Sequence, residues 1–223
     1  MFCGIIETIR RDKMKLIIFD LDGTVLDSLS DITDSIKLAL FECRLPNIDE
    51  DTCKGFLGSG VDHLVSNVCP DSSLRGLVKE RYLMHYARLQ RAKTKPYEGI
   101  IDLLSYLNDR KVLIAVLSNK PHKDTVDVIK HFFPDINFAY VLGKKDENEP
   151  KPSNDGCREI EEALDIHTQI VYVGDTNVDI QTAINAGYYP IACSWGFREK
   201  DTLEGYQVIF DHPTELLKWV RVK

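Results

Sequence analysis

The chain has 223 residues, of which 43% are hydrophobic and 28% charged. This is the make-up of a water-soluble globular fold, with length for one large domain or for a core carrying a smaller inserted one. Its 28 Lys/Arg against 35 Asp/Glu leave a net charge of −7, which argues against a surface built to hold nucleic acid or anionic membrane. No stretch approaches the roughly 18 apolar residues of a membrane span.

Residues 1–13 begin with a short apolar patch followed by positive charge. A secretory signal has the opposite order, so a cytoplasmic protein is expected. This segment reads as an extension of unassigned role, either from an upstream start or as a short surface helix. Six cysteines (Cys3, Cys43, Cys53, Cys69, Cys157, Cys193) are scattered without a C-x-x-C pair. They read as reduced thiols rather than a structural zinc site.

Residues 15–19 form the first strand-like run, ending at Asp20. From 28 to 95 only helical patterns follow, over 32–41, 61–68 and 74–89. This segment is too long for a simple connection and reads as an inserted helical domain. Its Gly58-Ser59-Gly60 precedes a helix and could present backbone N–H groups to a substrate anion; an ordinary interhelical turn is the alternative. The basic residues Lys79, Arg81, Arg88, Arg91, Lys93 and Lys95 could steer a phosphate dianion, or simply solvate a helix face.

A helix is expected over 100–107, then a strand over 112–117 ending at Ser118-Asn119, and a helix over 125–129. A weaker strand over 140–142 is followed by Glu149-Pro150-Lys151-Pro152. A helix over 160–164, a strand over 170–173 ending at Gly174-Asp175, and a helix over 178–186 that stops at Gly187 come next. Weaker strands cover 190–193 and 208–210. Apolar runs alternating with helices predict an α/β doubly wound, Rossmann-like parallel sheet with an inserted α-helical cap domain. The expected division is 14–27 with 96–223 as core and 28–95 as cap.

In such a sheet ligands gather at the carboxyl ends of the strands. Asp20, Asp175 and Asp179 would then crowd negative charge that only a cation relieves, and hard oxygen ligands suit Mg²⁺. Lys151, Ser118, Asn119 and Gly23 would add positive charge and donors, which together make a site for a phosphoryl group. Asp20 and Asp22 stand two apart at a strand end, where Gly23 lets the chain turn. One carboxylate can attack phosphorus while the other manages the proton. Lys120 is a rival to Lys151 for the lysine position.

Asp20–Thr24 as D-x-D-G-T, Ser118-Asn119 after a strand, Lys151, and Gly174–Asp179 as G-D-x-x-x-D together resemble the haloacid dehalogenase superfamily in its phosphatase branch. Within it the chain is most similar to phosphoglycolate phosphatases. The resemblance implies Asp20 as nucleophile, forming an aspartyl-phosphate, and Asp22 as general acid and base. It implies Mg²⁺ held by the Asp20 carboxylate, the Asp22 carbonyl and Asp175, with Asp179 as ligand or outer partner. Gly23, Thr24, Ser118, Asn119 and Lys151 would meet the phosphate, and Gly58, Ser59 and Gly60 the rest of the substrate. The implied partner is a small phosphorylated metabolite, phosphoglycolate first, with no nucleic acid and no membrane; no oligomeric state is implied. Pyrophosphate or another phosphomonoester, a phosphosugar mutase, and a non-catalytic metal-binding protein stay open as alternatives.

Overall fold

The structure, a computed structural model, describes residues 14–221. The expected extension at 1–13 lies outside the described residues. The principal sheet has six parallel strands: β1 (Leu16–Phe19), β4 (Leu113–Pro121), β5 (Tyr140–Lys144), β6 (Ile170–Gly174), β7 (Tyr189–Cys193) and β8 (Val208–Phe210). They lie in the order β5-β4-β1-β6-β7-β8. From β1 the chain builds outward through β4 to β5, then crosses back to β6 and continues to β8. The direction of winding therefore reverses beside β1, and a crevice opens at the carboxyl ends of β1, β4 and β6.

Both sheet faces are covered, which is why the strands read as unbroken apolar runs rather than alternating ones. Ile17 and Phe19 of β1 face one layer, with α5 (Ile100–Asp109), α6 (His122–Phe132) and α9 (Pro213–Arg221). Leu16 and Ile18 face the other, with α7 (Asp155–Leu164) and α8 (Asn177–Ala186). All four side chains are fully buried. Register is thus strongly fixed, since a one-residue slip would exchange the two faces.

Four helices follow β1: α1 (Leu29–Glu42), α2 (Glu50–Gly55), α3 (Val61–Val68) and α4 (Arg75–Leu89). They pack around an apolar cluster of their own, including Ile36, Leu40, Leu64, Val78 and Tyr86. The chain enters and leaves this helical unit through an antiparallel ribbon of β2 (Leu26–Asp27) and β3 (Lys95–Pro96). The sequence pattern missed that ribbon, along with the short α2 and the terminal α9. Among the described residues no helix is long and apolar enough to cross a membrane.

A buried carboxylate ties the two crossings together. Asp31, in the first turn of α1, accepts hydrogen bonds from the Lys93 N–H (3.0 Å), the Thr94 N–H (2.8 Å) and the Thr94 hydroxyl (2.7 Å). It is only 1% exposed. Removing a buried acceptor leaves its donors without water or protein partners. Asp31→Ala should therefore lower the unfolding free energy by roughly 2–4 kcal/mol. Urea unfolding of both proteins checks this, and an unchanged midpoint would show that the ribbon does not depend on the carboxylate.

Candidate active site

The chain leaves β1 at Asp20, whose N–H still bonds to the Val173 carbonyl at 2.9 Å. It then turns tightly, because the N–H groups of Thr24, Val25 and Leu26 all donate to the Leu21 carbonyl. Gly23 is held at φ +94°, and a Cβ there would sit 2.3 Å from the Asp175 carboxylate. Glycine is needed on both counts: for the left-handed backbone and for the space the carboxylate fills. The turn sends Asp22 away from Asp20. The Asp22 carboxylate accepts from the Ser28 hydroxyl at 2.6 Å and from the Lys120 ammonium at 2.5 Å.

Asp175 follows β6 and is fully buried. One carboxylate oxygen accepts from the Thr24 hydroxyl at 3.0 Å, the other from the Phe197 N–H at 2.7 Å. Thr176 and Asp179 form a capping box at the start of α8: each side chain accepts from the other's backbone N–H. Asp179 also meets the Lys151 ammonium at 2.6 Å, and the same ammonium lies 2.5 Å from Asp20. Helix-capping and site duties are thus combined in Asp179.

Carboxylate oxygens of Asp20, Asp175 and Asp179 all lie within 4.8 Å of one another. Burial drives the Asp20 pKa well above the ordinary carboxylate value, and the neighbouring Asp179 adds to this against the pull of Lys151. The Asp175 carboxyl is pushed up to about 7, again by burial first and then by Asp179. Burial works against the Lys151 ammonium, but Asp179 and Asp20 more than offset it and hold its pKa well above the usual lysine value. One lysine against three buried carboxylates leaves the cluster short of positive charge. The donors are hard oxygens, and their crowding fits a small divalent cation, with Asp20, Asp175 and Asp179 as the residues to hold it.

Asn119 organises the opposite side. Its amide donates to the Gly58 carbonyl (3.0 Å) and the Lys151 carbonyl (3.1 Å), while its own oxygen accepts from the Lys151 N–H (2.8 Å). Gly60, at φ +87°, opens α3 beside it. Asp20, Asp22, Ser118, Asn119, Lys120, Gly58 and Gly60 line one cavity.

The Gly23 N–H donates to the Leu26 carbonyl at 2.8 Å, and the Thr24 hydroxyl is turned onto Asp175. Both positions shape the carboxylate cluster. The Asn119 amide is taken up by two carbonyls, so it braces the loops around the cavity. Ser59, half-buried, is not among the residues lining the cavity, although the glycines on either side are. Lys120 is no mere rival of Lys151: both reach the site, each on a different aspartate. Ser118, Asn119 and Lys120 follow one another at the irregular end of β4 and all line the cavity, so nearness to Ser118-Asn119 was the signal for Lys120. Of the basic stretch, Lys79 pairs with Asp62, Arg81 with Glu42 and Lys93 with Asp34. No sequence pattern marks Ser28, six residues beyond the aspartate it bonds, or the Phe197 N–H, a backbone donor 22 residues beyond Asp175.

Residues 17–193 match the family model described as haloacid dehalogenase-like hydrolase. A phosphoglycolate phosphatase of Mannheimia succiniciproducens is 31% identical, over 83% of this chain and 88% of its own. One of Aliivibrio fischeri is 27% identical, over 88% and 91%. Among solved structures, a candidate phosphoglycolate phosphatase from Lactobacillus delbrueckii superposes with a TM-score of 0.87. It is 31% identical, with 93% of this chain and 98% of the other covered.

The carboxylate cluster makes metal-free stability depend on pH. Asp175 holds its proton in the folded protein up to about pH 7, whereas in the unfolded chain it loses the proton near pH 3.9. Between those values the folded state binds more protons, so stability falls as pH rises through the window. A divalent cation held by these carboxylates would take the place of that proton. The rise in Tm on adding MgCl₂ to EDTA-treated protein should therefore be larger at pH 8 than at pH 5.5, and Asp175→Asn should remove most of it. Differential scanning calorimetry at the two pH values measures both, and equal shifts would contradict the charge account.

Proposed function

The chain belongs to the haloacid dehalogenase-like hydrolases, and from that premise we propose that it hydrolyses a small phosphomonoester through a phosphoryl-enzyme formed on Asp20, with Mg²⁺ as the cation. Its likeness to phosphoglycolate phosphatases over most of its length makes it a phosphatase. The observation that carries the mechanism is the division of labour between the two aspartates of the first turn. Asp20 sits in the carboxylate cluster against Lys151, while Asp22 is turned away onto Ser28 and Lys120.

That division suits two consecutive steps. An Asp20 oxygen attacks phosphorus, and Asp22 gives a proton to the departing alcohol. Asp22 then takes a proton from a water that attacks the same phosphorus, which frees phosphate and restores Asp20. Ser28 and Lys120 fix the Asp22 carboxylate toward the cavity. Lys151 offsets the repulsion between Asp20 and an incoming dianion and, with Ser118, holds phosphoryl oxygens. Mg²⁺ held by Asp20 and Asp175, with Asp179 beside them, would supply further positive charge to the transferring group. Residues 28–95 serve as a cap that closes the cavity and limits water. The relatives' names make phosphoglycolate the first substrate to test, with other small phosphomonoesters and the phosphoanhydride pyrophosphate beside it.

Asp20→Asn should lower phosphate release by roughly 10³-fold or more, because a lost nucleophile is not replaced by its neighbours. The wild-type protein, quenched in acid during turnover of a ³²P-labelled substrate, should retain label that hydroxylamine releases; Asp20→Asn should retain none. EDTA should silence turnover, and Mg²⁺ should restore it. Full activity in Asp20→Asn, or labelling that survives the substitution, would remove Asp20 from the covalent role.

A further inference from the structure

The cavity has two unlike sides. Its floor is polar, with Asp20, Asp22, Ser118, Asn119 and Lys120. The wall facing that floor comes from the helical unit: Ile32, Leu57, Leu64, Tyr82, Leu83 and Tyr86. Tyr82 and Tyr86 stand one turn apart on α4 with nearly parallel rings, their centroids 5.6 Å apart. Among the described residues that line the cavity, Lys120 is the one cation. Its ammonium is already paired with Asp22 at 2.5 Å and lies 4.6 Å over the Tyr86 ring. The arginines Arg88 and Arg91 line a different cavity, with Lys123, Asp124 and Asp127.

Resting on the phosphatase reading, we infer that the alcohol released from the substrate has an uncharged, largely apolar body, aromatic for preference, seated against Tyr82, Leu83, Tyr86 and Leu64. The phosphoryl group belongs on the polar floor, so whatever it esterifies must extend to the opposite wall. A carboxylate placed there would shed its water and find apolar carbons and aromatic faces instead of a free cation. A flat apolar group gains contact area and stacking on the same surface. The polar atoms of this wall are neutral tyrosine hydroxyls, and that of Tyr86 is buried without a hydrogen-bond partner among the described residues. The start of α3, at Gly60 and Val61, also lines the cavity, but it lies beside Asn119 rather than among the apolar side chains of this wall.

The test compares benzyl phosphate, phosphoglycolate and acetyl phosphate as substrates of the full chain with Mg²⁺, read as kcat/KM. Benzyl phosphate should exceed phosphoglycolate by about tenfold or more, the scale on which an apolar pocket discriminates. Tyr82→Ala should lower the benzyl phosphate value by about tenfold and leave acetyl phosphate within about threefold, because only the larger leaving group reaches the wall. Leu83→Arg, at a half-buried position, should shift the ratio toward phosphoglycolate, and it tests the wall independently should Tyr82→Ala fail to fold. A preference for phosphoglycolate in the wild-type protein would overturn the inference while leaving the phosphatase reading intact. So would equal losses on all three substrates in folded Tyr82→Ala. Release of phosphate from none of them would overturn the phosphatase reading itself.

Discussion

Three carboxylates and one ammonium, packed out of water at the end of a parallel sheet, set the terms for the rest of the molecule. Asp20, Asp175 and Asp179 repel one another, and burial strengthens the repulsion. Lys151 lies between two of them, at 2.5 and 2.6 Å, and so satisfies part of the charge. The fold holds this unfavourable cluster in place by bonding its oxygens from many directions: the Thr24 hydroxyl, the Phe197 N–H and the Thr176 cap. Each donor comes from a different segment. The cluster persists only because the sheet has already fixed the strand ends that carry it, and a site kept poised for a cation is the physical consequence.

The parallel core was readable because buried strands are continuous apolar runs, and each of the three strongest ends in residues that an ordinary turn does not need. Asp20, Ser118 and Asp175 are visible for that reason. Even the weaker runs at 140, 190 and 208 became strands, since each pairs with a strand already in place. The ribbon β2–β3 was hidden by its size: two residues a side, one of them Pro96, show no period. Helix α2 spans six residues, too few to display one, and its main signal is the Asp49 cap. Helix α9 did carry signals, with Pro213 at its start and Leu216 and Leu217 on its buried face.

Within the site, the residue types were legible and their pairings less so. A threonine and a glycine after an aspartate suggest phosphate donors, yet Thr24 and Gly23 serve Asp175, some 150 positions further on. Such a partnership depends on how β1 and β6 lie side by side, which no local window records. The same holds for Lys120 and Asp22, joined across strands β1 and β4. Side-chain chemistry can be inferred from a short motif; the atom each group addresses follows from the register of the sheet.

The helical unit is bound to the carboxylates through two loops, and both connections run through backbone atoms. Asn119 bonds the Gly58 carbonyl on one side and the Lys151 backbone on the other, so the loop before α3 and the lysine loop share one brace. After β7, the Phe197 N–H holds Asp175 while its ring packs among the four helices. The next residue, Arg198, donates to the carbonyls of Lys54, Gly55 and Leu57 at the end of α2. A displacement of the helices thus pulls on the segments that set Lys151 and Asp175. The apolar wall of the cavity and the carboxylate cluster are parts of one hydrogen-bonded frame, so shape on one side and charge on the other are positioned together.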